Sequence, residues 1–156
     1  FGDPDAWLGI IGLAPGKHGA NRTGRPFTGD YAGDLLYATL DKFGLSTGTY
    51  AADPNDGLRL KGAIIINAVK CLPPENKPTP RARAFIALGL IAHQSTLRSF
   101  GLKPSHHKFG HGARHALPGG RILLNSYHCS RYNTNTGRLT APMFEDVFRM
   151  AMSEAA

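Results

Sequence analysis

A chain of 156 residues, 42% of them apolar, has room for one domain with a real core, and no apolar run approaches the roughly 20 residues of a membrane span. Eighteen Lys and Arg against eleven Asp and Glu leave a net charge of +7, which suits a polyanionic partner such as nucleic acid but does not by itself require one. The two cysteines, Cys71 and Cys129, are too few for a disulfide framework and fit a reducing compartment. Phe1-Gly-Asp-Pro-Asp is no signal peptide, so the expectation is a cytoplasmic monomer without membrane contact.

In chain order, the apolar run Trp7 to Ile11 reads as a buried strand. Directly behind it stands Gly12-Leu-Ala-Pro-Gly-Lys-His-Gly-Ala-Asn-Arg-Thr-Gly-Arg-Pro-Phe-Thr-Gly-Asp30, whose glycines permit close backbone approach to a ligand. Its cations Lys17, Arg22 and Arg25 offer a field for phosphate. No Gly-Lys-Ser/Thr ending closes the loop, which weakens a simple nucleotide-binding reading. A helix over Asp34 to Phe43 puts Leu36, Leu40 and Phe43 on one face and stops at Gly44. Ala51 to Gly57 reads as a surface loop, and Ala63 to Ile66 as a second strand that ends at Asn67. A third strand spans Ala84 to Leu88, and a helix then runs through Ala92 to Phe100 before Gly101. The fourth strand, Ile122 to Leu124, leads into Ser126-Tyr-His-Cys-Ser-Arg-Tyr-Asn-Thr-Asn-Thr-Gly-Arg138, another polar, basic and aromatic loop. The last helix follows Thr140 as N-cap and buries Phe144, Val147, Phe148 and Ala151.

Alternating strands and helices predict an α/β fold, a three-layer αβα sandwich around a small, mostly parallel four-stranded sheet. Ligands bind such sheets beyond the carboxyl ends of the strands. The loops that begin at Gly12, Asn67 and Ser126 each follow a predicted strand, so they are expected to gather on one edge.

With Asn67-Ala-Val-Lys-Cys-Leu-Pro-Pro-Glu-Asn-Lys-Pro-Thr-Pro80 between them, the Gly12 and Ser126 loops give the chain a resemblance to the uracil-DNA glycosylase superfamily, and within it to the family 5 branch. The motifs cover most of the chain in the family's order. The resemblance implies a monofunctional DNA glycosylase of base excision repair, which flips uracil and other deaminated bases out of DNA and hydrolyses the N-glycosidic bond. It places Asn67 on the edge of the flipped base, where an amide can both donate and accept, and Phe27 as the ring that stacks on it. Gly16 and His18 join them as substrate-binding positions, and His128 becomes the donor that stabilises the departing base. Arg22, Arg131, Tyr132 and Arg138 are the expected DNA contacts, with Tyr132 a candidate wedge.

Positioning of the nucleophilic water is less determined by the sequence. Many relatives carry a carboxylate or amide where this chain has Ala14, and the task aligns with Asn21, with His18 and Asp30 as further candidates. Asp30 could equally cap the helix that follows. Ala14 also supports the alternative of a non-catalytic protein that binds lesions or abasic sites in DNA. Cys129 stands where the wider group has Pro, which puts the rigidity of the His128 loop in question. His106, His107, His111 and His115 invite a zinc reading that the surrounding glycines and proline make unattractive. Relatives hold a [4Fe–4S] cluster on four cysteines; Cys71 matches one ligand, and the others have no counterpart among these 156 residues. The expectation is therefore a single domain over 1–156 that lacks N-terminal residues and a segment between 80 and 81.

Overall fold

Short, uninterrupted apolar runs become the central strands because both of their faces are covered. The structure, a computed structural model, describes residues 1–13, 23–68 and 81–155. In chain order these form β1 (Leu8–Gly12), α1 (Tyr31–Lys42), the short strands β2 (Ser46–Thr47) and β3 (Arg59–Leu60), β4 (Ala63–Asn67), β5 (Ala84–Leu88) and α2 (Leu90–Ser99). They continue with a 3-10 turn at Pro104–His106, then β6 (Arg114–Leu117), β7 (Arg121–Ser126), α3 (Arg131–Asn135) and α4 (Ala141–Ala155).

The main sheet has the order β4-β1-β5-β7-β6. β4, β1, β5 and β7 are mutually parallel, whereas β6 pairs antiparallel with β7. The sheet thus has five strands, one more than expected. Arg114-His-Ala-Leu carries little apolar signal because it is an edge strand, exposed along most of its length, and its hairpin partner supplies the pairing.

Alternate residues of the parallel strands face opposite layers. Leu8, Ile10, Ile65, Ile86 and Leu124 pack on the side of α1 and α4, against Leu36, Leu40, Phe144 and Phe148. Ile11, Phe85, Ala87 and Leu123 pack on the side of α2, against Ala92 and Leu97. This is the expected three-layer α/β sandwich. Asp30 caps α1, its carboxylate accepting from the Gly33 N–H at 2.9 Å. Thr140 caps α4 by accepting from the Met143 N–H at 3.3 Å, and the buried face of α4 is Phe144, Val147, Phe148 and Ala151, as its spacing predicts. Gly44 and Gly101 end α1 and α2 with φ near +69° and +74°. No helix among the described residues is long and apolar enough to cross a membrane.

Candidate active site

Parallel register brings the carboxyl ends of four strands to one edge, with Gly12 opposite Asn67, Ile11 opposite Ala87 and Leu88 opposite Ser126. The chain leaves the sheet there four times. Asn67, the last residue of β4, is only 8% exposed. The Phe27 ring, equally buried, lies over Gly12: a methyl on Gly12 would sit 2.8 Å from the ring and 3.2 Å from Asn67 Oδ1. Only glycine lets the strand end, the ring and the amide crowd together. The His128 ring, from the loop after β7, has its centroid 6.2 Å from that of Phe27, tilted by 35°. Three residues that lie far apart in sequence, each predicted for the base, therefore share one site.

His128 is half-buried and its ring makes no hydrogen bond among the described residues. Burial lowers its pKa, with the charge of Asp30 opposing the shift, so the neutral imidazole, still an N–H donor, prevails at neutral pH. The backbone from Ser126 to His128 is held at three points. Asn133 Nδ2 donates to the His128 carbonyl at 2.9 Å, and the Gly89 N–H donates to the Ser126 carbonyl at 2.9 Å. The Tyr127 N–H donates to His111 Nδ1 at 3.1 Å while His111 Nε2 meets the Met143 carbonyl at 3.1 Å. That pattern requires the tautomer with its proton on Nε2. Cys129 adds a buried anchor, its thiol pushed up to about 12 by burial in the core. These ties hold the loop at the place where the wider group has a proline and this chain has Cys129.

The Arg25 guanidinium corrects the expectation of a phosphate field. It is 5% exposed and turned inward. Nη1 and Nη2 donate to the two carboxylate oxygens of Asp56 at 2.8 and 2.9 Å, and Nε donates to Thr28 Oγ1 at 2.7 Å. The guanidinium holds the Asp56 carboxyl well below the usual carboxylate range. Asp56 belongs to the segment expected as a surface loop, yet its side chain is only 3% exposed. Around this pair, the Tyr37 hydroxyl donates to the Pro26 carbonyl at 2.6 Å and the Tyr50 hydroxyl to the Phe27 carbonyl at 3.3 Å. Burial pushes the Tyr37 phenol up to about 12, so it remains a donor.

Phe27 has φ near +55°, a left-handed conformation that costs an aromatic residue on the order of 1–3 kcal/mol and persists only where neighbours enforce it. Gly33 is one of those neighbours, since a methyl there would lie 1.7 Å from the Phe27 carbonyl oxygen. Gly33→Ala is expected to lower unfolding stability by about 3 kcal/mol or more through this overlap. A urea midpoint within error of the parent would show that the Phe27 turn moves freely.

Of the four residues expected to contact DNA, Arg131, Tyr132 and Arg138 are described and follow β7. Arg131 and Tyr132 open α3, where Tyr132 is 73% exposed and the Arg131 guanidinium lies 5.2 Å from the centre of the Tyr31 ring. Arg138 lies 4.7 Å from the centre of the Tyr127 ring, next to His128. Ala14, Gly16, Lys17, His18, Asn21, Arg22 and Cys71 lie outside the described residues. Neither Asn133 nor His111, which hold the His128 loop, is expected in the site from the sequence: Asn133 acts on a carbonyl five residues back, and His111 on backbone groups 16 and 32 residues away.

Among the described residues no group of three or more His, Cys, Asp or Glu side chains is arranged to hold a metal ion. Both His111 nitrogens are engaged, and His115 Nε2 bonds Asn125 Nδ2 at 3.1 Å. A [4Fe–4S] cluster does not fit these residues: it needs four thiolates, and Cys129 is a protonated thiol packed in the core. A cleft of about 710 Å³ opens at the opposite edge of the sheet, between Trp7, Arg83 and Arg121, and shares none of the predicted site residues.

The fold agrees with the comparisons. Residues 1–151 match the profile of the uracil DNA glycosylase superfamily. A type-5 uracil-DNA glycosylase of Thermus thermophilus is 50% identical over 169 aligned residues, covering 97% of this chain and 77% of that protein. The type-5 enzyme of Mycobacterium tuberculosis is 44% identical over 91% of this chain and 60% of its own length. That of Pyrobaculum aerophilum is 38% identical over 99% and 75%. The chain belongs to the uracil-DNA glycosylase superfamily and, within it, to the type-5 enzymes.

Proposed function

We propose that the chain is a monofunctional uracil-DNA glycosylase that hydrolyses the N-glycosidic bond of uracil, and of related deaminated bases, after the base has left the helix. The observation that carries this is the meeting of an aromatic face, a buried amide and a neutral imidazole at the ligand edge of the sheet. Phe27 stacks on the base. Asn67 reads its edge, donating from Nδ2 to O4 and accepting the N3–H at Oδ1. His128 donates to O2 and stabilises the charge that grows there as the C–N bond lengthens, a contribution that strengthens in the transition state. Water then attacks the oxocarbenium-like sugar carbon. Asn21, His18 and Asp30 remain the groups proposed to hold it. Asp30 already gives one carboxylate oxygen to its cap, and its charge also favours the positive sugar.

Single-turnover incubation with uracil-containing duplex tests the proposal. Free uracil and an alkali-labile abasic site are the expected products. Tight binding to that duplex with no release of base would favour the lesion-binding alternative.

The basic and aromatic residues beside the site are proposed to engage DNA. Arg131→Ala should weaken binding to every duplex and flatten the dependence of affinity on salt by roughly one released counterion, because its guanidinium would otherwise meet a phosphate. A loss confined to uracil-containing DNA, measured by fluorescence anisotropy, would make Arg131 a base or wedge contact instead.

The proposal for the cofactor is negative for the chain as it stands: two cysteines do not supply the ligands of a [4Fe–4S] cluster. We also retain as a proposal that a segment is missing between residues 80 and 81. In its support, the alignment with the Thermus relative runs over 169 positions, more than the 156 residues of the whole chain.

A further inference from the structure

We infer that the buried Arg25–Asp56 ion pair is a positioning device for the base-stacking ring, acting on catalysis through Phe27. This rests on the glycosylase reading and goes beyond it by assigning a role to two residues that do not face the substrate. Arg25 stands two residues before Phe27, and all three of its donor nitrogens are committed inward, two to Asp56 and one to Thr28. Phe27 is thus flanked on both sides by residues tied to one guanidinium. The Asp56 carboxylate is itself fixed, accepting from the Ala51 and Leu58 N–H groups at 2.9 Å each. The guanidinium also lies 5.4 and 5.7 Å from the centres of the Tyr37 and Tyr50 rings, whose hydroxyls hold the Pro26 and Phe27 carbonyls.

Stability alone does not explain such a pair, because apolar residues of similar volume in place of a buried ion pair are often neutral or stabilising. What a bidentate fork adds is a defined direction. Phe27 needs one: its backbone is in the left-handed region, and without enforcement the chain would relax and carry the ring away from Asn67 and His128. A misplacement of the order of 1 Å at a group that orients substrate is enough to slow chemistry by up to about 10²-fold.

The test uses Arg25→Met/Asp56→Leu, which removes both charges and leaves neither partner buried alone, with Arg25→Lys as a second variant that keeps the charge but loses the fork. Folding is checked by thermal denaturation, and affinity by binding to undamaged duplex. Both folded variants should bind undamaged duplex as the parent does, yet excise uracil about tenfold or more slowly in single turnover. In a Phe27→Ala background the same substitutions should cause no further loss, since the ring through which the pair acts is gone. Parental excision by either folded variant, or an equal additional loss in the Phe27→Ala background, would overturn the inference. If Arg25→Met/Asp56→Leu does not fold, Arg25→Lys and its Phe27→Ala combination decide between the same two outcomes. A parent protein that releases no uracil would instead sink the glycosylase reading. A fully active Phe27→Ala protein would remove the stacking assignment and this inference with it.

Discussion

His128→Ala is expected to slow uracil excision by roughly 10² to 10³-fold in single turnover, while affinity for uracil-containing duplex changes by only a few-fold. The asymmetry follows from when the contact matters. A neutral imidazole donating to uracil O2 gains little in the ground state, where water would serve almost as well. It gains more as the base becomes an anion, and one preorganised donor of this kind is worth about 2.7–4 kcal/mol in a site that excludes water. The structure supplies that preorganisation: the ring is half-buried with its pKa lowered, and the backbone around it is held by Asn133, Gly89 and His111. Rates and affinities are best measured on the same preparation, with thermal denaturation as a control. Equal losses in rate and affinity would reduce His128 to a binding contact. An unchanged rate would move leaving-group stabilisation to another residue.

How much of this is legible in the sequence depends on the range of the interactions involved. β5 is legible to the residue, because Ala84 to Leu88 is an unbroken apolar run between Arg83 and Gly89 and has few alternatives to a buried strand. The buried face of α4 is equally plain from helical spacing and the Thr140 cap. β6 escapes such a reading, since an exposed edge strand needs no apolar pattern and owes its existence to hydrogen bonds with β7.

The site divides in the same way. Phe27, Asn67 and His128 stand out through their motifs; the strand ends of a parallel sheet bring Asn67 and the His128 loop to one edge, and the turn before α1 adds Phe27. Arg25 is misleading because a cation among glycines and prolines looks solvent-facing from local sequence. Its partner Asp56 lies 31 residues on, in a stretch whose composition reads as surface. Nothing local announces a buried ion pair of that range. The left-handed φ of Phe27 is equally hidden, because an aromatic residue has no preference for it and the contacts that hold it, among the described residues Gly33, Tyr50 and the Arg25 network, are tertiary. The tautomer and role of His111 likewise emerge only when Tyr127 and Met143, 16 and 32 residues away, are seen on its two nitrogens.

Asn67→Asp should cut uracil excision by on the order of 10²-fold. The amide at the end of β4 is 8% exposed and set beside the stacking ring, so the base edge has little access to water once bound. Uracil presents an acceptor, O4, next to a donor, N3–H, and the amide matches them with Nδ2 and Oδ1. An ionised carboxylate offers acceptors only, so it would keep the N3–H contact and set a negative oxygen against O4. Leaving a buried polar group without its partner costs about 1–3 kcal/mol, and more where a charge is involved; about 3 kcal/mol corresponds to the stated loss. The substitution also reverses part of the discrimination, because the exocyclic amino group of cytosine is a donor that the carboxylate can accept. Excision from uracil, cytosine and thymine duplexes by the same variant, normalised to folded protein, gives the measurement. A fall for uracil with a detectable gain for cytosine is the result expected of an edge reader. Uracil excision at the parental rate would take Asn67 out of the base pocket, and a fall accompanied by an equal loss of affinity for undamaged duplex would trace the effect to a disturbed strand end rather than to the base edge.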